Sequence, residues 1–597
     1  MLLATLAAGC ALAAPARARA PLGLDDCGKT HRVYQCSGLV RTWDGVPLDT
    51  TVSLPSRSAR RLPLVVEIHG FGNSKYEYLD PQSRAYTDNA FHWTRDGYAV
   101  LTYTARGLWG SCGTPESRAA SPGACADGYI HLADDRYEVR DSQELIGRLV
   151  AEHYAAPRRI GVTGDSYGGG QSLALAALRD RTMRPDGRLV PWRTAGGRRL
   201  SIAAAAPVIP WSDLISAAAP NGRVSATGIT SRRKATSPVG VEKQSFVNGI
   251  FAAAQFAAGP GQPVGEPFVP GRPMGYLAPP GSDPQADVSG WVARTDAGEP
   301  YTDPDARAIV RRLVRFHSPY YIHPSRRPPP LLLVSGLTDD LFPVDEVLRY
   351  ANRTAKLYPR APVSLLLGDL GHQRAANKPA ERTRLIRAIH SWFDHYLKGA
   401  NRAPRRGVTA FVPTCPRSKP SAGPFRARRF AGLSHGDVRR VARRPRTILS
   451  SGGDPAIGQA IDPVAGGGNG CVTTSADPEP GTARYRLRRA RRKPFTAIGA
   501  PRVHARLRVE GVEANDAQIA SRLWDVAPNG RQRLVARGLY RPDQGRNAWQ
   551  LHPAAWRFRR GHLAELELLA SDPPYARPSN GTFRIRVRRL GVRLPVR

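Results

Sequence analysis

The stretch RIGVTGDSYGGGQSLALAAL, residues 159–178, decides how the rest of the chain is read. It begins as a short apolar run and continues from Gly168 with alanine and leucine at helical spacing, so a strand gives way to a helix at Ser166. Gly164, Ser166 and Gly168 satisfy G-x-S-x-G, a pattern that carries little weight alone but much weight between a buried strand and a helix. There the turn packs backbone so closely that a Cβ at either glycine clashes, and the serine occupies a strained conformation with its hydroxyl presented beyond the strand end. Ser166 is therefore the candidate nucleophile.

Working outward, PLVVEIHG (63–70), YAVLTYTAR (98–106), LSIAAAAPVIP (200–210), PPLLLVSG (329–336) and VSLLLGDLG (363–371) are further short, nearly continuous apolar runs. Such runs suit strands covered on both faces of a parallel sheet. Helical patterns alternate with them at 137–154, 168–181, 344–358 and 379–399, which predicts a doubly wound α/β sheet. Ahead of these, LVRTWDGVPLDTTVSLP (39–55) alternates apolar and polar residues around an Asp-Gly turn and predicts an antiparallel hairpin. The connection from 211 to 327 is far longer than a crossover requires, so it is expected to be an inserted helical cap. Beyond residue 400, short alternating runs such as VHARLRVEG (503–511) and TFRIRVRRLGV (582–592) predict an all-β sandwich or jelly roll. The expected organisation is a leader over 1–20, catalytic α/β segments over 26–210 and 328–400 split by the insert 211–327, and a β domain over 405–597.

The composition agrees with such a chain. Its 597 residues exceed the roughly 250–300 at which single cores stop growing. Hydrophobic content of 41% is ordinary for globular protein, and no apolar run approaches the ~20 residues of a membrane-spanning helix. MLLATLAAGCALAAPARARA ends in a small-residue cleavage pattern at Ala18-Arg19-Ala20 and reads as an export signal without the usual basic start; Cys10 lacks the preceding leucine of a lipid-attachment motif. Without Cys10 the cysteines form an even set of three local pairs, predicting bridges Cys27–Cys36, Cys112–Cys125 and Cys415–Cys471 and an oxidising, secreted or cell-envelope location. The net charge of +38 is nearly all arginine. With no nucleic-acid-binding motif beside it, the excess is read as solvated charge, extending at most to loose attraction to an anionic envelope and not to specific nucleic-acid binding.

A serine hydroxyl needs an oriented histidine as base and a carboxylate behind it. In the chain order Ser, Asp, His, LLLVSGLTDDLFP places Asp339 just past one strand and LLLGDLGHQ places His372 just past the next, both at the strand edge where ligands bind in open α/β sheets. Asp340 competes with Asp339, which is preferred for its register between Gly336 and Pro343; Asp369 is a weaker rival. The oxyanion donors expected are the backbone N–H of Tyr167 and that of Phe71 or Gly72 in HGFGNSKYEY (69–78). No H-E-x-x-H, paired C-x-x-C or phosphate-binding loop occurs, and the reaction as read needs no metal or cofactor.

With these residues in place, the chain resembles the X-prolyl dipeptidyl peptidase and cocaine esterase family of α/β-hydrolase serine hydrolases. The resemblance runs from WDGVPLDTTVSLP (43–55) through GYAVLTYTARGLWGSCGTP (97–115), GDSYGGG (164–170) and GLTDDLFP (336–343) to FTAIGAPRVHARLRVEG (495–511) and SRLWDVAPNGRQRLVARGLYRP (521–542). It implies an acyl-enzyme formed on Ser166 with Asp339 and His372 as partners, a cap over the pocket and a non-catalytic C-terminal jelly roll. The sequence departs from the family at the oxyanion loop, where many members carry a tyrosine and this chain has Tyr76 only further on, which favours a backbone donor. The leading expectation is release of Xaa-Pro dipeptides from peptide N-termini. The alternative is hydrolysis of small acyl esters or amides, and a remote one is a catalytically silent polymer-binding protein. A peptidase of this kind needs a carbonyl-rich or anionic socket for the substrate ammonium, for which Asp213, Glu242, Asp303 and Asp305 are the candidates in or near the insert.

Overall fold

Eleven strands form the central sheet of the computed structural model, which describes residues 20–81, 86–222, 239–256, 271–467 and 469–597. The expected leader, with Cys10, lies outside the described residues apart from Ala20. In chain order the strands are β1 (Asp26–Thr30), β2 (Val33–Arg41), β3 (Pro47–Leu54), β4 (Leu62–Ile68), β5 (Ala99–Tyr103) and β6 (Ala155–Asp165). After a two-stranded hairpin of β7 (Arg181–Met183) and β8 (Leu189–Pro191) come β9 (Ile202–Val208), β10 (Leu331–Gly336), β11 (Val363–Gly368), β12 (Gly407–Val412) and β13 (Ala422–Ala427). Their spatial order is β1-β2-β3-β5-β4-β6-β9-β10-β11-β12-β13.

The hairpin expected around Asp44-Gly45 is β2–β3, paired antiparallel from Tyr34–Leu54 to Arg41–Pro47. From β5 to β12 every pairing is parallel. The continuous apolar runs have their expected cause: along β4, Leu64, Val66 and Ile68 enter one hydrophobic cluster and Val65 the cluster on the other side, so both faces are buried. Helices Glu138–Ala151, Tyr167–Leu178, Val344–Leu357 and Pro379–Lys398 supply the covering layers.

The expected start of the β domain at 405 needs correction, because β12 and β13 belong to the α/β sheet. β12 pairs in parallel with β11 from Ser364–Gly407 to Leu367–Ala410, with helix Pro379–Lys398 as the crossover. Short alternating runs are strands in either setting, and the sheet they join is set by a pairing that leaves no local mark. The all-β part proper begins at Gly436 and carries twelve described strands in sheets of seven and five, both contributing to one core that includes Val503, Leu507, Leu523 and Leu566.

Between β9 and β10 the described residues of the insert form helices Leu214–Ala218, Gln244–Phe256, Val288–Asp296 and Pro304–Phe316. Three disulfides are present, Cys27–Cys36, Cys112–Cys125 and Cys415–Cys471, the pairs expected from the sequence. No helix among the described residues is long and apolar enough to cross a membrane.

Candidate active site

Ser166 stands at the apex of the turn from β6 into helix Tyr167–Leu178, with φ 52° and ψ −109°. A β-carbon on Gly168 would come within 1.7 Å of the carbonyl oxygen of Ile68, and one on Gly164 within 2.2 Å of the same atom. Only glycine lets β6 and the helix close on β4 so tightly, and this closure holds the serine in a conformation that non-glycine residues rarely adopt.

Two neighbouring strand ends bring the partners. His372 Nε2 lies 2.8 Å from Ser166 Oγ, and His372 Nδ1 lies 2.8 Å from Asp339 Oδ2. The Nδ1–H donates to the carboxylate, which leaves Nε2 as the acceptor facing the serine hydroxyl. Asp339 is fixed in turn: its Oδ1 accepts the backbone N–H groups of Leu341 and Phe342, both at 2.9 Å, and its Oδ2 also accepts that of His372 at 3.2 Å. The Phe342 ring meets the imidazole edge-on with centroids 5.0 Å apart.

The rival carboxylates are engaged elsewhere. Asp340 receives Arg374 through Nε at 2.6 Å and Nη2 at 2.7 Å, with Arg537 of the β domain 3.8 Å away. Burial works to raise the Asp340 pKa, but Arg374 and Arg537 more than offset it and hold the carboxyl below its usual range. Asp369 accepts from Thr338 Oγ1 at 3.0 Å and from the N–H of Ala376 at 3.1 Å, and pairs with Lys378 at 3.2 Å. The insert reaches the same region, since Lys243 Nζ donates to the carbonyl of Leu341 at 2.8 Å.

On the oxyanion side, Tyr167 is the first residue of its helix, so its N–H has no carbonyl one turn back to bind. Its phenol donates to Glu138 Oε1 at 3.2 Å and accepts from the N–H of Ala133 at 3.1 Å, and its ring lies 4.9 Å from that of Phe71. Burial pushes Glu138 up to about 8 against the pull of Arg106. Gly72 has φ +78°, and a β-carbon there would meet the carbonyl of Ala253 at 2.8 Å. The loop that carries Phe71 and Gly72 starts at His69, whose Nε2 accepts the N–H of Ala105 at 2.9 Å while Nδ1 donates to the carbonyl of Gly70 at 2.7 Å. That neutral form is enforced by burial, which lowers its pKa to about 4. Tyr76 follows in the short helix Lys75–Glu77, past the loop.

Of the four insert carboxylates, Asp213 caps helix Leu214–Ala218 through Ser216 and accepts Tyr321 Oη at 2.8 Å, and Asp303 caps Pro304–Phe316 and pairs with Arg294. Asp305 is exposed. Glu242 is fully buried, and neither of its carboxylate oxygens has a hydrogen-bond partner among the described residues. Burial, helped by Asp296 and opposed by Arg577, raises its pKa to about 8.

Asp165, Glu77, Arg374 and Lys243 were not singled out by the sequence. The only local signal was the position of Asp165 directly before the serine.

A model of the X-Pro dipeptidyl-peptidase (S15) family matches residues 44–185. No curated protein matches the chain. Among solved structures, a CocE/NonD family hydrolase from Staphylococcus aureus is similar at 14% identity and TM-score 0.56, covering 95% of this chain and 94% of its own. An aminopeptidase from a marine sediment Thaumarchaeota archaeon is similar at 12% identity and TM-score 0.61, covering 95% and 96%. An alpha-amino acid ester hydrolase is similar at 15% identity and TM-score 0.56, covering 95% and 97%. At these identities the likeness is one of fold, and the family model supports the resemblance read from the sequence.

Proposed function

We propose that this chain, a serine hydrolase whose residues 44–185 match the S15 family, removes Xaa-Pro dipeptides from peptide N-termini through an acyl-enzyme on Ser166. The observation that carries the reading is the unbroken hydrogen-bonded line from Asp339 through His372 to Ser166. His372 Nε2 takes the serine proton as Oγ attacks the scissile carbonyl, and Asp339 holds the imidazole in the required tautomer and stabilises the imidazolium. The tetrahedral oxyanion is received by the N–H of Tyr167 and by that of Phe71 or Gly72. His372 then returns its proton to the departing amine, and a water repeats the sequence to free Ser166.

Glu242 supports the peptidase branch. Its neighbour Lys243 reaches the loop of Asp339 at Leu341, and a substrate ammonium would relieve the cost of a buried carboxyl that has no hydrogen-bond partner among the described residues. A second reading, hydrolysis of small acyl esters or amides, draws support from the apolar side of the site, where Phe71, Tyr167, Trp211 and Phe342 form a chain of ring contacts reaching His372. The three disulfides support an exported enzyme.

The deciding experiment compares turnover of Ala-Pro-nitroanilide, its N-acetylated form and a short-chain nitrophenyl ester, with Ser166→Ala as blank. Strong preference for the free amine, weakened in Glu242→Gln through KM, is the expected result. Turnover of the ester alone replaces it with the second reading.

A further inference from the structure

The loop that supplies the second oxyanion donor and the turn that carries the nucleophile belong to adjacent strands, β4 and β6, in register from Leu64–Ile160 to Ile68–Gly164. Something must hold the loop at the right height over Ser166, because a donor displaced by a fraction of an ångström loses most of its effect on the transition state. The structure contains such a brace. Glu77 Oε2 accepts the N–H of Gly70 at 2.9 Å and the side-chain amide of Asn73 at 3.0 Å, gripping both ends of the segment that contains Phe71 and Gly72. Asp165, the residue before the nucleophile, lies against the same segment: a β-carbon on Gly70 would sit 3.2 Å from Asp165 Oδ2 and 3.8 Å from Glu77 Oε2. The two carboxyl groups thus converge on Gly70, close enough for the Asp165 charge to act on Glu77. The Tyr78 hydroxyl lies 3.0 Å from Asp165 Oδ1 and 2.9 Å from the carbonyl of Ile68. Both acids are buried.

We propose that Glu77 and Asp165 form a carboxylic acid–carboxylate pair with one shared proton, and that this pair fixes the loop Gly70–Asn73 on the nucleophile turn, making Glu77 a positioning residue for the oxyanion donors. A hydrogen bond between two carboxyls requires that one of them be protonated, and two ionised carboxylates in contact inside the protein would repel. The surroundings favour retention of the proton. Burial and the Asp165 charge hold Glu77 well above the usual carboxyl range, and burial raises Asp165 to about 6. The titratable groups around the pair are Glu67 from β4, Tyr78 just past the short helix, Tyr86 from the following loop and His372 from the loop after β11. Against burial, the Tyr78 hydroxyl lowers Asp165 first and the positive charge of a protonated His372 second, so the anionic half of the pair also faces the imidazolium formed during catalysis.

The inference rests on Ser166 being the nucleophile, and its test separates the two claims. The kcat and KM of the full chain are measured across neutral and alkaline pH for wild type, Glu77→Gln, Glu77→Ala and Ser166→Ala. A glutamine keeps an acceptor for Gly70 and Asn73 and donates to Asp165 without a titrating proton. Glu77→Gln is therefore expected to retain neutral-pH kcat within a few-fold and to move the alkaline fall of kcat to higher pH. Glu77→Ala is expected to lose about 10²-fold in kcat, the scale of one oxyanion donor, with much less change in KM. An alkaline limb identical in wild type and Glu77→Gln overturns the pair, as does an alanine variant of undiminished kcat. Should Glu77→Ala fail to fold, the glutamine profile decides alone. Turnover by Ser166→Ala close to the wild-type rate would instead overturn the nucleophile assignment.

Discussion

At the scale of single residues, each member of the candidate triad is useful only in the protonation state its neighbour imposes. Asp339 accepts from two backbone amides on one oxygen and from His372 on the other, so it stays an acceptor and the imidazole keeps its proton on Nδ1. Asp339→Asn keeps the shape but presents a donor or a weaker acceptor, and kcat is expected to fall about 10⁴-fold with little change in KM. Ser166→Ala should lose on the order of 10⁶. Steady-state assays on a nitroanilide or nitrophenyl substrate check both. Ser166, Asp339 and His372 were legible in the sequence because each ends an apolar run whose strand character is local. Register between Gly336 and Pro343 favoured Asp339 over Asp340, but the reason Asp340 is engaged elsewhere was not legible, since Arg374, which claims it, is brought in by a different strand. Glu77 and Asp165 were illegible for the same reason, as their meeting depends on the pairing of β4 with β6.

At the scale of elements, the acid loop after β10 and the base loop after β11 are tied together independently of the triad. Asp340 binds Arg374 two residues past the base, and Thr338 binds Asp369 three residues before it. Asp340→Asn would strand two buried guanidiniums, those of Arg374 and Arg537, and is expected to cost about 3–5 kcal/mol in stability with a reduced kcat. Denaturant midpoints measured beside activity test this, and an unchanged midpoint would show that the clamp carries no load. The strands and helices of the sheet were legible because continuous apolar runs and 3.6-residue periodicity are local signals. β12 and β13 were assigned to the following domain because their partner, β11, is separated from them in sequence by a long helix.

At the scale of the whole molecule, the β domain buttresses the loops of the candidate triad. Arg537 approaches Asp340, His552 and Gln550 bind Asp345 at 2.6 and 2.8 Å, and the N–H of Gly470, next to Cys471, donates to the carbonyl of Arg374 at 2.7 Å. The Cys415–Cys471 bridge, spanning 56 residues, pins that contact. On a chain-entropy basis it stabilises by roughly 4 kcal/mol, so Cys415→Ser with Cys471→Ser should unfold at a clearly lower denaturant concentration than wild type. Stability should also vary with pH in a defined direction. Glu138 and Glu242, each raised to about 8, bind a proton in the folded state that the unfolded chain releases near 4.5. Their contribution is complete below pH 4.5 and is lost as pH rises through about 8, so Tm should fall over this range and fall less in Glu242→Gln. His69, lowered to about 4, acts in the opposite sense and withdraws stability only below pH 6.5.

The measurement that bears most directly on the central claim is the intact mass and peptide map of the protein after reaction with a fluorophosphonate. A single adduct on Ser166, absent in Ser166→Ala and strongly slowed in His372→Ala, is the result this account predicts. Modification elsewhere, or none on a protein that still hydrolyses substrate, would contradict it.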